Sequence, residues 1–329
     1  MNSCIFGTMN INYKYSSNEN NSIEEYAKMI QTYITYVNVN KTAILDTAYY
    51  YGNTTTEQII GKILPNLSVI PKIATKVNPW LNNDFTNGKL GQLSSKPLEN
   101  QLKTSLYNLN LDSIEYMFLH CPDYETPIEE TLETCEKVWR KEKFNKLGIS
   151  NFSYDQMYEV LHICEKNGYH SPDVYQGMYN LVSRKVEEIF PLLTENCIEF
   201  WAYNPLAGGL LTGKYDTKIH NIDVDISSNC RFKNNKIYQN IFWKEPILDN
   251  LEDFFKQGNC VKKSFHWLQY YSKLRKEDKI ILGASTFEQL ENNLKILNTN
   301  AYETYSNDEI AYLKYLYEPI KEYSPNYYY

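Results

Sequence analysis

Residues 43 to 52 read AILDTAYYYG, a short apolar stretch that runs directly into polar side chains. Its first three residues have the character of a buried strand, and Asp46 stands where that strand ends. Similar stretches recur along the chain and predict strands at residues 4–7, 43–46, 69–74, 114–119, 146–149, 173–175, 198–202 and 279–282. Between them, apolar residues follow helical spacing, as at Leu98, Leu102 and Leu106. The alternation of strand and helix indicates a parallel sheet.

Eight such units in a chain of 329 residues favour a closed (β/α)8 barrel over an open doubly wound sheet. Because no linker or low-complexity segment divides the chain, we expect a single domain over residues 1–329. One irregular stretch, residues 216–245, is rich in Asn and Asp and lies between the seventh and eighth strands. A connection this long is either a binding loop or disordered.

Composition excludes several classes of function. The net charge is -7, so the chain has no global positive field to attract nucleic acid or anionic lipid. No apolar run approaches the roughly 20 residues that span a bilayer, so no membrane partner is expected. The seven cysteines include no C-x-x-C pair and are predicted to be free thiols. Residues 1–9 lack signal-peptide features, and we therefore predict a cytoplasmic protein.

Polar side chains follow the predicted strands at the end where (β/α)8 enzymes carry their active sites. Asp46 and Tyr51 follow the second strand, Lys76 the third and His120 the fourth. Each has an ordinary interpretation by itself: a helix cap, a surface tyrosine, a solvated lysine and a turn histidine. Together they form a candidate catalytic set, since neighbouring strands end at the same edge of the barrel.

This set suits the reduction of a carbonyl, which needs a hydride on carbon and a proton on oxygen. Free tyrosine has a pKa of about 10, and a cation beside the phenol lowers it by stabilising the phenolate. Lys76 supplies that charge, and Asp46 holds the lysine. A neutral His120 donates a hydrogen bond to the carbonyl oxygen. The five histidines are dispersed, so no metal site competes with this interpretation, and Tyr51 is the predicted proton donor.

Nine segments of the chain carry a family resemblance. They include DTAYYYG (46–52), KIATKVNPW (72–80), FLHCPD (118–123), GISNFS (148–153) and ILGASTFEQLENNL (281–294). The others are residues 7–9, 174–180, 202–215 and 242–245. In this order they resemble the aldo-keto reductases, and most closely the aflatoxin B1 aldehyde reductase group. The resemblance implies a (β/α)8 barrel and an NADPH-dependent aldehyde and ketone reductase, with Asp46, Tyr51, Lys76 and His120 as its catalytic residues.

The same resemblance implies where the cofactor binds. Nicotinamide contacts fall on Ser150, Asn151 and Gln176, with Tyr203 stacking on the ring. The alternative that Tyr203 is an ordinary core aromatic residue stays open. The pyrophosphate site maps to Asn204, Pro205, Leu206, Ala207, Gly208, Gly209 and Leu210, with Lys214 nearby. The adenosine end maps to Gly283, Ser285, Thr286, Gln289, Asn292 and Asn293. Many relatives carry Lys and Arg in place of Gly283 and Gln289, but Arg231 matches a cofactor-binding arginine, so we expect NADPH to be preferred over NADH.

The substrate pocket implied by the resemblance is lined by Tyr50, Trp80, His120, Tyr238 and Trp243. Related reductases carry two arginines that hold substrate carboxylates, where this chain has Ile241 and Tyr329. We therefore expect neutral or dialdehyde carbonyl substrates in preference to aldehyde acids.

An alternative function is a non-catalytic, nucleotide-binding regulatory subunit like the potassium-channel β subunits that share this fold. Residues 78–80 and 242–245 resemble the reductase group and favour the enzyme. The expected partner is a small-molecule carbonyl compound. A homodimer stays open, because the sequence does not determine the oligomeric state.

Overall fold

A computed structural model describes residues 3–12, 19–37, 43–215, 232, 235–298 and 305–328. Eight parallel strands pair in chain order and close on themselves, so that β1 is hydrogen-bonded to both β2 and β8. Strands β1 to β8 cover Ser3–Gly7, Ile44–Asp46, Lys72–Val77, Ile114–Leu119, Phe144–Ser150, Val174–Met178, Glu199–Tyr203 and Lys279–Gly283. This closed barrel with interspersed helices confirms the predicted (β/α)8 fold.

Helices pack around the outside of the barrel. In the part of the chain that the structure describes, α1 to α11 cover Glu19–Val37, Thr55–Ile63, Ser95–Leu109, Ile128–Arg140, Tyr154–Asn167, Phe190–Glu195, Lys236–Phe242, Glu245–Lys256, Cys260–His266, Phe287–Asn298 and Asn307–Tyr315. Ser153 and Ser306 open α5 and α11 with capping boxes completed by Gln156 and Glu309. These caps satisfy backbone N–H groups that have no partner within the helix.

The barrel interior and the outer layer have separate cores. Residues 5, 44, 74, 116, 118, 174, 201 and 281 fill the interior as one buried cluster, and the next residues of the strands pack outward against the helices. Side chains alternate between the two faces with a period of two. A side chain two residues beyond an interior one therefore points inward again, at the mouth of the barrel. Phe118 needs Gly148 beside it, since a Cβ there would lie 2.2 Å from its ring.

The predicted third strand, residues 69–74, was placed three residues too early. The structure starts β3 at Lys72, whose backbone N–H donates to Ala43. Val69 and Ile70 are 45% and 61% exposed and precede Pro71, which has no N–H to donate to a ladder. The predicted fourth strand, residues 114–119, matches β4 at both ends, and the ends of the other strands lie within three residues of the predictions. The shift of β3 puts Lys76 within the strand.

The predicted loop at 216–245 is partly helical, since it contains α7 and reaches the start of α8. Residues 216–231, 233 and 234 lie outside the described residues, and so do the predictions made for Arg231 and Tyr329. None of the six cysteines in the described residues is joined in a disulfide. No helix in the described ranges is both long and apolar enough to cross a bilayer.

Candidate active site

A buried ion pair lies at the carboxyl end of the barrel, between β2 and β3. The Lys76 ammonium donates to Asp46 Oδ1 at 2.7 Å and to the Thr47 carbonyl oxygen at 2.8 Å. Both side chains follow interior residues by two positions, so strand alternation turns them into the barrel mouth. The side chain of Lys76 is completely buried and that of Asp46 is 4% exposed. Burial lowers the pKa of Lys76, and the adjacent Asp46 carboxylate acts against that effect.

Tyr51 lies next to this pair. The Lys76 nitrogen is 5.1 Å from the centroid of the Tyr51 ring. Tyr51 begins a 3-10 turn, Tyr51–Thr54, in which Gly52 has a φ of 56°. A Cβ on Gly52 would lie 2.6 Å from the Thr55 hydroxyl, so both the backbone angle and the space require glycine there.

His120 follows β4 and lies across the site from Lys76. Its ring is 6.0 Å from the Tyr51 ring, edge to face. Burial lowers the pKa of His120 well below its ordinary value, and the positive charge of Lys76 lowers it further. The imidazole is therefore neutral near pH 7. Its Nδ1 is buried and has no hydrogen-bond partner among the residues described.

Side chains from β5, β6 and β7 extend the hydrogen-bond network around the pair. Gln176 donates to the same Asp46 oxygen as Lys76, at 2.8 Å. Asn151 donates to the His120 carbonyl at 2.9 Å and to the Ser150 hydroxyl at 3.1 Å, and it accepts from the Tyr203 hydroxyl at 2.7 Å. The four residues predicted to contact nicotinamide thus line the barrel mouth around the predicted catalytic residues.

A turn after β7 has a backbone suited to an anion. Asn204, Ala207, Gly208 and Gly209 have φ values of 53°, 49°, 67° and 100°. Positive-φ turns can present backbone N–H groups to phosphate oxygens. In this turn the N–H groups of Ala207 and Gly209 donate to the carbonyls of Asn204 and Leu206. Asn180 fixes the turn by donating to the Asn204 carbonyl at 2.9 Å. The predicted pyrophosphate segment, with Pro205, Leu206 and Leu210, forms this turn, and Lys214 follows it.

The predicted adenosine end lies at the start of α10. Thr286 accepts from the Gln289 backbone N–H, and the Gln289 side chain accepts from the Ser285 N–H at 3.0 Å. Asn10, after β1, donates to the Ala284 carbonyl and the Ser285 hydroxyl, both at 3.3 Å. Gly283 and Asn292 are exposed, whereas Asn293 is buried. The N-terminus of this helix carries partial positive charge and suits a phosphate group.

The predicted substrate residues form two groups. Tyr50, Trp80 and His120 contact one another, with ring centroids 4.8 Å apart for Tyr50 and Trp80 and 5.0 Å for Trp80 and His120. Phe85 adds a further aromatic wall 5.1 Å from Trp80. Tyr238 donates to Asn204 at 3.3 Å, and its ring lies against Gly208, where a Cβ would approach it to 2.6 Å. Trp243 packs on Phe232. Tyr238 and Trp243 therefore lie beside the turn at residues 204–209, called the phosphate-type turn below.

Three functional features were missed at the sequence level. Phe85 lies in a loop with no strand or helix period to mark it. Gln101 of α3 holds the loop that carries Trp80 by bonding the Asn78 N–H and carbonyl, both at 2.9 Å. Glu57 of α2 is completely buried behind β3. The sequence did carry a signal for Gln101 and Glu57, because each is a polar residue on the apolar face of its helix.

Known proteins are similar to this chain along most of its length. The family model described as the Aldo/keto reductase family matches residues 3–317. The chain belongs to this family. Human aflatoxin B1 aldehyde reductase member 2 is 38% identical to it over 267 residues, which are 76% of this chain and 72% of the relative. Human member 4 is 36% identical over 265 residues, 76% of this chain and 78% of the relative.

Solved structures show the same fold. An aldo-keto reductase from Bacillus halodurans in its holo form superimposes with a TM-score of 0.67 at 20% identity, covering 99% of this chain and 93% of that one. A Klebsiella pneumoniae aldo/keto reductase in complex with NADP and acetate gives a TM-score of 0.65 at 18% identity, with the same coverage.

The family match and the reductase relatives confirm the predicted family and the predicted type of enzyme. The reductase is an NADP-dependent oxidoreductase that acts on small-molecule aldehyde and ketone carbonyls. The relatives are named as reductases, which gives no support to the regulatory-subunit alternative. Among the described residues, no group of three or more His, Cys, Asp and Glu side chains is arranged to hold a metal ion.

Proposed function

We propose that Tyr51 donates the proton in the NADPH-dependent reduction of aldehydes and ketones, and that Asp46, Lys76 and His120 complete the active site. One observation carries this proposal: the buried Lys76 ammonium, paired with Asp46 at 2.7 Å, lies 5.1 Å from the Tyr51 ring. A buried positive charge at this distance favours phenolate over phenol. The Lys76 ammonium therefore stabilises the phenolate that forms when Tyr51 gives up its proton.

The cofactor, when bound, supplies the hydride. Burial lowers the pKa of Lys76, and Asp46 offsets part of that effect and so favours the charged form. Neutral His120 can donate a hydrogen bond to the carbonyl oxygen, which draws electron density to that oxygen and orients it toward Tyr51. The surrounding aromatic rings keep water from the reacting carbon.

The fit of the chain to a nicotinamide dinucleotide supports the cofactor part of the proposal. The positive-φ turn at Asn204 to Gly209 suits the pyrophosphate, and Ser285 and Thr286 at the start of α10 suit the adenosine phosphate. We propose NADPH rather than NADH, with Arg231 as a contact to the 2′-phosphate. We also propose one barrel domain over residues 1–329 and a cytoplasmic location.

For substrates, we propose neutral aromatic aldehydes in preference to aldehyde acids. Tyr50, Trp80, Phe85 and His120 form an aromatic wall that suits a flat apolar substrate. Ile241 is partly buried against the main core and offers no charge to a carboxylate.

The test is the loss of NADPH absorbance with a panel of neutral aromatic aldehydes, dialdehydes and short aldehyde acids. We expect turnover with the neutral aromatic aldehydes when the enzyme is saturated with NADPH. A protein that binds NADPH and turns over none of the panel would contradict the proposal and favour a regulatory role.

A further inference from the structure

A second carboxyl group lies on the other side of β3 from the active-site lysine. Glu57 is completely buried on the face of α2 that packs against the barrel. Its Oε1 accepts a hydrogen bond of 2.5 Å from the hydroxyl of Thr75, the residue immediately before Lys76. Because side chains alternate along a strand, Thr75 points outward to Glu57 while Lys76 points inward to Asp46.

The surroundings of Glu57 are poor for a charge. Its Oε2 is buried and makes no hydrogen bond of standard geometry among the described residues, although the side chains of Ser105 and Asn108 lie close enough to favour its charge. Burial raises the pKa of Glu57 to about 7, although Thr75, Ser105, Asn108 and the charge of Lys76 act in the opposite direction. The charge of Glu57 also raises the pKa of Tyr49.

A buried acid without full hydrogen bonding reduces stability, and a neutral residue of the same shape would avoid that loss. Groups of this kind cluster at functional sites. The charge of Glu57 acts on Lys76 and raises its pKa, next in effect to the carboxylate of Asp46. Lys76 itself faces Asp46, Tyr51 and His120 in the barrel mouth.

We propose that Glu57 is a positioning residue for Lys76: its carboxyl group holds Thr75 from behind β3, and its negative charge favours the ammonium form of the lysine. The inference rests on the proposed function, in which Lys76 must be charged to assist Tyr51. Glu57 has no contact with the substrate space and acts only through β3 and through its charge. Its contribution is largest at alkaline pH, where Glu57 is ionised and Lys76 begins to lose its proton.

The test compares the parent with Glu57→Gln, which keeps an oxygen acceptor for Thr75 but carries no charge. We expect the alkaline fall of kcat to move to lower pH by about one unit, the lower end of the effect of an opposite charge a few ångströms away. Above that inflection, kcat falls by about tenfold. The KM for the aldehyde should change by less than about twofold, because the interaction is absent from substrate binding.

Two controls isolate the charge of Glu57. Glu57→Asp keeps the charge and should bring the alkaline inflection back toward that of the parent. Glu136→Gln makes the same chemical change at a buried acid on α4, which accepts from His170 rather than from β3, and should leave the pH profile unchanged. Binding of NADPH, followed by fluorescence, should be the same in all four proteins.

A pH profile of Glu57→Gln that coincides with the parent profile would overturn the inference and leave Glu57 a purely structural acceptor. Failure of this variant to fold would also contradict it, since removal of an unfavourable buried charge should not destabilise the protein. Tyr51→Phe, measured in the same assay, distinguishes failure of this inference from failure of the proposed function. If Tyr51→Phe keeps full carbonyl reduction, then the proposed function fails, whatever Glu57→Gln does.

Discussion

The ammonium of Lys76 lies 2.7 Å from the carboxylate of Asp46, and neither side chain has appreciable contact with solvent. A buried pair of this kind is retained for function or specificity more readily than for stability, because removing two charges from water offsets most of their attraction. Gln176 donates to the same Asp46 oxygen and links the pair to the opposite side of the barrel mouth.

Replacing one member of the Lys76–Asp46 ion pair should destabilise the protein more than replacing both members. Asp46→Asn leaves a buried ammonium without its counter-charge, for which we expect a loss of about 3–5 kcal/mol in the free energy of unfolding. The double variant Asp46→Asn/Lys76→Met should recover most of that loss. Urea unfolding at pH 7 measures both. Equal stability of the single variant and the parent would mean that Lys76 is not charged in the folded protein.

Tyr51→Phe should lower kcat for aldehyde reduction by at least about a hundredfold, the usual size of a lost general acid. The affinity for NADPH should not change, because the phenol hydroxyl faces the carbonyl substrate. Tyr49→Phe, two residues earlier and outside the barrel mouth, is the matched control and should keep most of the activity. Steady-state kinetics with one neutral aromatic aldehyde gives kcat for the parent and both variants.

NADPH should bind more tightly than NADH, and Arg231→Ala should narrow the difference. A charge-assisted hydrogen bond contributes about 1.5–3 kcal/mol, which corresponds to roughly a 10- to 100-fold change in Kd. Fluorescence titration with both cofactors gives the ratio in each protein. Equal affinities in the parent would show that the 2′-phosphate site is wrongly assigned.

A short aldehyde acid should be a poorer substrate than a neutral aromatic aldehyde of similar reactivity, mainly through KM. Each 1.4 kcal/mol of lost carboxylate binding is a tenfold change in affinity. Ile241→Arg should partly restore activity on the acid, because the arginine supplies the positive charge that Ile241 lacks. The assay is kcat/KM for both aldehydes in both proteins. A parent enzyme that already prefers the acid must bind the carboxylate through another basic residue.

Glu57 should make the stability of the protein depend on pH. Its pKa is raised from 4.5 to about 7, so folding favours its protonated form. The associated stability is fully present below about pH 4.5 and is lost as the pH rises to about 7. The loss is about 3 kcal/mol at 1.36 kcal/mol per pKa unit. Urea unfolding at pH 5 and pH 8 should show that Glu57→Gln gains stability over the parent only at the higher pH.

Local sequence patterns were enough to predict the barrel and the residues at its mouth. Short apolar segments alternating with helical spacing leave few ways to bury both, and strand ends are visible where a polar residue follows an apolar run. Asp46 and His120 were found in this way. The start of β3 was wrong because Val69 and Ile70 are apolar yet exposed, and an apolar run does not reveal whether other elements cover it.

The chain alone is enough to predict a (β/α)8 barrel with a carboxylate, a phenol, a lysine and an imidazole at one end, because strand and helix spacing are visible within short segments. Which of these groups touch depends on the fold. It grouped Tyr50 and Trp80 with His120, set Tyr238 and Trp243 beside the phosphate-type turn, and buried Glu57 behind Lys76. Such contacts join residues far apart in the chain, and the packing of helices on strands, which no local pattern encodes, brings them together.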